Sequence, residues 1–268
     1  MSQNNNTKNK HTFVICAYKE SPYLEECIQS VINQTVKSNV MIATSTDNLY
    51  IRGLAKKYNL EVRVATHKSD IARDWNFALE SSDTEYVTIA HQDDVYERTY
   101  ASNVLKRFEA DTDALICCTD YYEVRNGERV SKNTLLFIKR ILSSLLCIKG
   151  LNKTYFGKRS AIAIGNGICC PSVTYNMNKM DLPVFEVGMK CNLDWQTWEK
   201  LSRKKGSFIY IHKLLMGHRI HEESTTTEII GDNARGTEDY EMFRKFWPAP
   251  IAKIICKLYS NSEKSNKV

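Results

Sequence analysis

Proline and glycine are scarce in this chain, 5 and 11 of 268 residues, which excludes collagen-like repeats and the low-complexity compositions of disordered proteins. Missing too is any C-x-x-C pair. The nine cysteines are odd in number and two couples are adjacent, Cys117-Cys118 and Cys169-Cys170, so neither a zinc site nor a disulfide framework is expected. Reduced thiols in a cytosolic protein are the plain expectation. No apolar run is long enough to cross a bilayer: the longest, Leu135 to Ile148, is interrupted by Lys139 and Arg140, and the N-terminus lacks a signal-peptide core. An excess of one charge is also lacking. With 37 basic against 31 acidic residues, the net charge of +6 falls short of the basic stripe of a nucleic-acid binder and suits anionic small molecules or an anionic lipid surface. What is present is ordinary globular material, 43% hydrophobic and 25% charged, enough for one sizeable core behind a polar tail at residues 1–10.

From Thr12 onward, short β-rich runs alternate with helical patterns, the signature of a mostly parallel α/β sheet. Thr12 to Ala17 reads as a buried strand. Ser21-Pro22 then reads as a cap and first helical turn, ahead of Leu24, Cys27, Ile28, Val31 and Ile32 at helical spacing. Val40 to Ala43 and Glu61 to Ala65 supply further strands, with helices from Ile51 to Tyr58 and from Ile71 to Leu79. A fourth strand, Tyr86 to Ala90, stops at His91-Gln92-Asp93-Asp94, and in open α/β sheets ligands gather at the carboxyl ends of strands. The second half is less regular. Ala114 to Cys118 and Tyr121 to Val124 read as two strands, Asn126-Gly127 as a hairpin turn, and Thr134 to Lys149 as a basic amphipathic helix. A helix from Leu193 to Lys204, two strands at Phe208 to His212 and Leu215 to Ile220, and a helical tail complete the chain.

Asp93 and Asp94 are the sharpest chemical feature. Adjacent carboxylates repel and are costly to bury, so a hard divalent cation with oxygen ligands is the economical reason to place them at a strand end, while helix capping is the structural alternative. Asp194 either serves as a base or caps a helix beginning at Trp195. Trp195 and Trp198 are as readily core as a sugar platform, His218 and His221 as readily a loop pair as ligands, and Cys169-Cys170 is better read as core than as a nucleophile.

Val14 to Glu20, followed by Leu24 to Thr35, resembles the opening of family 2 glycosyltransferases of the GT-A fold. Further pieces follow in the family's order: Ile71-Ala72-Arg73-Asp74-Trp75-Asn76, His91-Gln92-Asp93-Asp94 at the metal motif, Leu193-Asp194-Trp195 at the base motif, and His218-Arg219-Ile220-His221-Glu222-Glu223-Ser224 at the closing motif. The resemblance implies a Rossmann-like mixed, mostly parallel sheet flanked by helices, with the GT-A domain over 11–230 and a helical extension over 231–268 packed on the domain or a membrane surface. It implies an inverting, metal-dependent transfer of a sugar from a nucleotide-diphosphate sugar to a hydroxyl of a surface glycan or lipid-linked acceptor. Ala17, Tyr18 and Glu20 would line the base pocket, with Ser45, Asp74 and Gln92 contributing to donor binding. Asp93, Asp94 and His221 would hold Mn²⁺ or Mg²⁺, His221 and Asp93 would face the diphosphate, and Asp194 would be the general base. The Gly165-Asn166-Gly167 turn would lie near the acceptor.

Two positions depart from the family pattern. Ala43 stands in the segment after the second strand where a nucleotide-binding carboxylate is usual, and His91 stands for the first metal-motif aspartate. These departures support an alternative, a degenerate GT-A domain that binds a nucleotide or glycan or scaffolds a partner. A nucleotidyltransferase would need a Gly-rich phosphate loop after the first strand, and Ala17-Tyr18-Lys19-Glu20-Ser21 is not one. Two apolar stripes with basic rims remain: Leu135, Ile138, Leu142, Leu145 and Cys147 or Ile148 beside Lys139, Arg140 and Lys149, and Ile251, Ile254, Ile255 and Leu258 beside Lys253 and Lys257. Packing on the domain is their first expectation and an anionic inner-leaflet surface the second.

Overall fold

A computed structural model describes residues 9–221 and 234–264. Residues 1–8 of the expected tail and Glu222, Glu223 and Ser224 of the closing motif lie outside the described residues. The first half alternates as expected: β1 (His11–Ala17), α1 (Leu24–Ile32), β2 (Asn39–Thr44), α2 (Leu49–Tyr58), β3 (Glu61–Val64), α3 (Ile71–Glu80) and β4 (Tyr86–His91). Next come β5 (Val95–Tyr96), α4 (Tyr100–Ala110), β6 (Ala114–Arg125), β7 (Glu128–Val130), α5 (Thr134–Ser144), α6 (Tyr155–Ser160) and β8 (Val173–Asn176). α7 (Leu193–Ser202), β9 (Ser207–Ile220), α8 (Ala234–Arg244) and α9 (Ala249–Lys264) follow.

One sheet runs in the order β3-β2-β1-β4-β8-β6-β9-β5, with β7 paired to β6. The long ladders β1·β2, β1·β4, β2·β3 and β6·β9 are parallel, whereas β8, β5 and β7 pair antiparallel. The sheet is therefore mixed and mostly parallel, as the sequence implied. Successive side chains of a strand point to opposite faces, and the core divides accordingly. Phe13, Ile15, Ile42 and Cys117 join α1, α2 and α4 on one face. Val14, Ala43, Ile116 and Phe208 join α3, α7, α8 and α9 on the other. Met242, Phe243 and Ala252 of the last two helices are wholly buried in that second cluster.

Several local expectations change. α1 opens at Leu24 rather than at Pro22, because Ser21 closes a turn of its own through the Leu24 N–H to Ser21 carbonyl bond (3.2 Å). Asn48, Asp70 and Asn133 do cap α2, α3 and α5 by accepting backbone N–H groups. The two strands read on either side of Thr119-Asp120 are one, β6, and the two read around His212-Lys213 are one, β9; the β6·β9 register slips at Thr119 and Asp120. Asn126 and Gly127, at φ 49° and 82°, form the expected hairpin turn. α5 ends at Ser144 and a 3₁₀ turn over Leu145–Cys147 follows. Its buried stripe is Leu136, Leu142, Ser143 and Leu146, so Ile138 and Ile148 of the expected apolar face are exposed.

Candidate active site

The metal motif occupies the turn between β4 and β5. Because β5 pairs with β9 (Val95↔Gly217, Tyr96↔Met216), the end of β9 is laid directly over that turn. Gly217 is what permits the approach: a Cβ there would meet the Tyr122 ring at 2.6 Å and Val95 Cγ2 at 2.8 Å. Asp94 Oδ1 accepts the Arg219 backbone N–H (2.9 Å) and bonds His218 Nδ1 (3.0 Å). Asp93 Oδ2 lies 3.0 Å from His221 Nε2, and the Arg219 guanidinium donates to the Asp93 carbonyl (2.8 Å) and to Glu26 Oε2 (2.5 Å). It also lies 4.3 Å from the centroid of the Tyr23 ring, so α1 and β9 grip the turn together.

His91 stacks on Trp75 with ring centroids 5.1 Å apart, and the Cys27 thiol donates to its carbonyl. Burial holds its imidazole below the usual pKa against the opposing charges of Asp94 and Asp93, keeping it neutral with a lone pair available. Burial would raise Asp93, but the His221 bond and the charge of His218 outweigh it, so Asp93 lies below the ordinary aspartate value. One ligand atom each from His91, Asp93 and Asp94 falls within 4.8 Å of the others. Two buried atoms of this cluster, His91 Nε2 and Asp94 Oδ2, have no hydrogen-bond partner. A neutral imidazole nitrogen and a carboxylate oxygen left unsatisfied fit a small divalent cation. The departure at His91 thus leaves a nitrogen donor within reach of the two carboxylates. His221 contacts Asp93 directly.

The expected donor-binding residues gather beside this turn. Gln92 accepts the Tyr18 N–H (2.9 Å) and donates to the Tyr18 carbonyl (3.0 Å), tying the end of β1, after Ala17, to the metal motif. Tyr18 and Glu20 are exposed there, and Lys19 at φ 54° turns the chain between them. Ala43 is buried, but a carboxylate reaches the end of β2 from α3. Asp74 Oδ2 accepts the hydroxyls of Ser45 (3.0 Å) and Ser69 (2.9 Å), and its Oδ1 bonds His67 (2.9 Å).

Asp194 is built differently. It is the second residue of α7, and the helix's own N-cap, Asn192, makes no side-chain cap bond. The segment entering α7 is held by α8: Glu238 accepts the N–H groups of Lys190, Cys191 and Asn192 (2.7, 2.8 and 3.1 Å), and Asn192 Nδ2 donates to Asp239 (2.7 Å). Asp194 accepts from Trp195 N (2.7 Å) and from Asn166 Nδ2 (2.7 Å). Burial raises its pKa, against those two bonds and the charge of Lys139. The Asn166 turn is pinned from both sides. Ser143 of α5 donates to the Gly167 carbonyl (3.2 Å), and Tyr259 of α9 lies against Gly165, at φ 153°, where a Cβ would meet its ring at 2.9 Å.

Trp195 and Trp198 are fully buried, which makes them core rather than a sugar platform. Cys170 is buried too, its thiol pushed up by burial. Sequence reading missed Glu26, Asn166 as a partner of Asp194, Glu238 and Asp239. Only the order of motifs could have drawn attention to Asn166, and nothing local marks Glu238.

The Glycosyl transferase family 2 profile matches residues 12–182. The glycosyltransferase GlyA of Streptococcus pneumoniae serotype 4 is 22% identical over 223 residues, 80% of this chain and 31% of that protein, so the chain spans about a third of this curated relative. S. aureus TarS 1-349 in complex with UDP-GlcNAc superposes with a TM-score of 0.62 at 15% identity, covering 96% of this chain and 73% of that one. The mannosyltransferase PcManGT of Pyrobaculum calidifontis, in complex with GDP-Man and Mn²⁺, does so with a TM-score of 0.63 at 16% identity, covering 94% and 70%. At these identities the structures establish the fold, which is GT-A. With the profile spanning β1 to the segment after β8 and the motif turn where that fold places it, the chain belongs to glycosyltransferase family 2.

Proposed function

We propose that this chain transfers a sugar, with inversion, from a nucleoside-diphosphate sugar to a hydroxyl of a surface glycan or lipid-linked acceptor, as in capsule, cell-wall or lipopolysaccharide assembly. The observation that carries the reading is the pairing of a carboxylate cluster with unsatisfied donor atoms at His91 and Asp94 and a separate, proton-avid carboxylate at Asp194. Asp93, Asp94 and His91, with His221 beside them, would hold Mn²⁺ or Mg²⁺, which supplies neutralisation of the departing diphosphate. Asp194 takes the proton of the acceptor hydroxyl, and its raised pKa suits that task. Tyr18, Glu20, Gln92 and the Ser45–Asp74 pair, beside Ala17, form the donor end, where Asp74 offsets the carboxylate absent at Ala43. The nucleotide sugars bound in the solved relatives, UDP-GlcNAc and GDP-Man, make UDP and GDP the first nucleotides to try.

Association with the inner face of an anionic membrane is the finer reading of location. No helix among the described residues is long and apolar enough to cross a membrane. α9, however, exposes Ile251, Ile254 and Leu258 between Lys253 and Lys257. α5 contributes less to a basic rim than its sequence implied, because Arg140 turns inward to Asp120 (2.7 Å).

A thermal-shift panel of UDP, GDP, dTDP and CDP with and without Mn²⁺ tests the catalytic reading. At about a hundredfold excess over the dissociation constant, the matching nucleotide stabilises by about 2.7 kcal/mol, and Asp93→Asn abolishes the metal-dependent part. If no nucleotide shifts the melt, the chain is the degenerate domain that Ala43 and His91 also allow. Nucleotide binding without metal-dependent hydrolysis of the matching nucleotide sugar points to the same alternative.

A further inference from the structure

Lys139 and Arg140 are neighbours on α5 with opposite degrees of satisfaction. Arg140 donates to Asp120 Oδ2 (2.7 Å), the Ser131 carbonyl (2.7 Å) and the Tyr121 carbonyl (3.0 Å), and is fully occupied in holding the β6–α5 connection. Half-buried Lys139 makes one bond, from Nζ to the neutral hydroxyl of Tyr121 (3.0 Å), and no carboxylate among the described residues lies within ion-pair distance of it. An ammonium withdrawn from water without an anion is costly, and a fold retains one where something else supplies the charge. Its position says where. The Tyr121 ring that holds it lies edge-on to His218 at 6.2 Å, and the Lys139 charge acts on Asp194, on His218 and on the Cys169 thiol. Lys139 is therefore held, through Tyr121, beside the β9 strand end that covers the metal turn, and its charge reaches Asp194.

We propose that the Lys139 ammonium binds a phosphate oxygen of a substrate in the catalytic cavity. The inference rests on the glycosyl-transfer reading and adds a residue to it. The phosphate belongs either to the donor diphosphate or to a phosphorylated acceptor, and the two are separable by titration calorimetry in Mn²⁺. The probes are UDP and GDP, then uridine and guanosine as phosphate-free controls, then glycerol 3-phosphate added to nucleotide-saturated protein. If Lys139 holds the donor, Lys139→Met weakens the nucleoside diphosphate by about 10- to 100-fold and leaves the nucleoside unchanged, as expected for a lost charged hydrogen bond. If it holds the acceptor, the nucleotide affinity stays and glycerol 3-phosphate binding disappears. In either case Lys139→Arg retains most of the affinity, and the melting temperature of Lys139→Met without ligand is unchanged or higher, whereas a structural lysine would lower it. Lys139→Gln repeats the comparison should the methionine variant fail to fold. Wild-type nucleotide affinity in Lys139→Met, with glycerol 3-phosphate bound as tightly by the variant as by the wild type or not bound by the wild type at all, overturns the proposal alone. A wild type that binds no nucleotide overturns it together with the transferase reading.

Discussion

The two ends of the site are anchored in different ways. The metal turn hangs on the sheet: β4 delivers it, the β5·β9 ladder covers it, and Arg219 locks it to Glu26 of α1. The base hangs on helices, with Asp194 at the start of α7, Glu238 of α8 holding the segment before it, and Asn166 pinned between α5 and α9. The same division appears in the acidities. Asp93 is pulled below its ordinary value by histidine neighbours, so it stays charged toward a cation, while burial raises Asp194 toward the protonated form. A carboxylate bonded to histidine suits a group that must hold a fixed charge, and a carboxylate whose pKa burial pushes up suits one that must gain and lose a proton.

The largest break in this comparison is Asp194→Asn. It removes the base and leaves the metal turn intact, so turnover falls by about 10²- to 10⁴-fold while metal-dependent nucleotide binding by calorimetry is preserved. The wild-type pH profile gives the complementary reading. A base acts only when deprotonated, and burial raises the pKa of Asp194, so the acid limb of kcat/KM lies above the ordinary aspartate value of about 3.9 and activity falls as pH drops through it. A limb at or below that value assigns the proton acceptance elsewhere.

Asp94→Ala separates the two motif carboxylates. Asp94 is wholly buried and receives the Arg219 N–H, so its loss leaves a buried donor unsatisfied and destabilises the protein by about 1–3 kcal/mol in urea titrations. Asp93→Ala, at a partly exposed position, costs less stability and more metal affinity. Equal stability losses would show that the two carboxylates share one role. Glu238→Gln probes the other end. Glu238 accepts through both oxygens, Oε1 from Lys190 and Oε2 from Cys191 and Asn192, so the single amide oxygen of glutamine leaves at least one of these N–H groups facing an NH2, and each charged bond lost contributes about 1.5–3 kcal/mol. The expected result is a lower melting temperature and a several-fold loss of turnover with unchanged nucleotide affinity.

The sheet-anchored end was legible in the sequence because its information is local. Thr12 to Ala17 is a buried strand whichever fold contains it, Asn126-Gly127 can only be a tight turn, and His91 to Asp94 follows its strand without a gap. The helix-anchored end was not, because its partners are far apart in the chain. Glu238 lies 46 residues beyond the Asn192 N–H it holds, and the Asn166 turn is 28 from Asp194. α5 shows a second reason. Its apolar residues fit more than one helical face: the stripe read through Leu135 and Ile138 gave way to one through Leu136 and Leu142, with Asp120 and Tyr121 on β6 turning Arg140 and Lys139 inward. The breaks read at Thr119-Asp120 and His212-Lys213 are places where two long strands slip register without ending.

Asn166→Ala gives the smallest effect and the finest test of the comparison. The Asn166 amide donates to the charged form of Asp194 and opposes the upward push of burial, so removing it raises the Asp194 pKa further. One such bond contributes about 1 kcal/mol net, roughly a five-fold change in an equilibrium. The sign follows from the role: a base with a higher pKa is protonated over a wider range, so the acid limb of kcat/KM moves to higher pH and activity is lost mainly below neutrality. At alkaline pH the variant recovers most of its turnover, and nucleotide affinity, which depends on the sheet-anchored end, does not change. A uniform loss at every pH would mean that Asn166 orients the acceptor or the helix start and leaves the charge on Asp194 unaffected, and the opposed acidities of the two ends would then owe nothing to this turn.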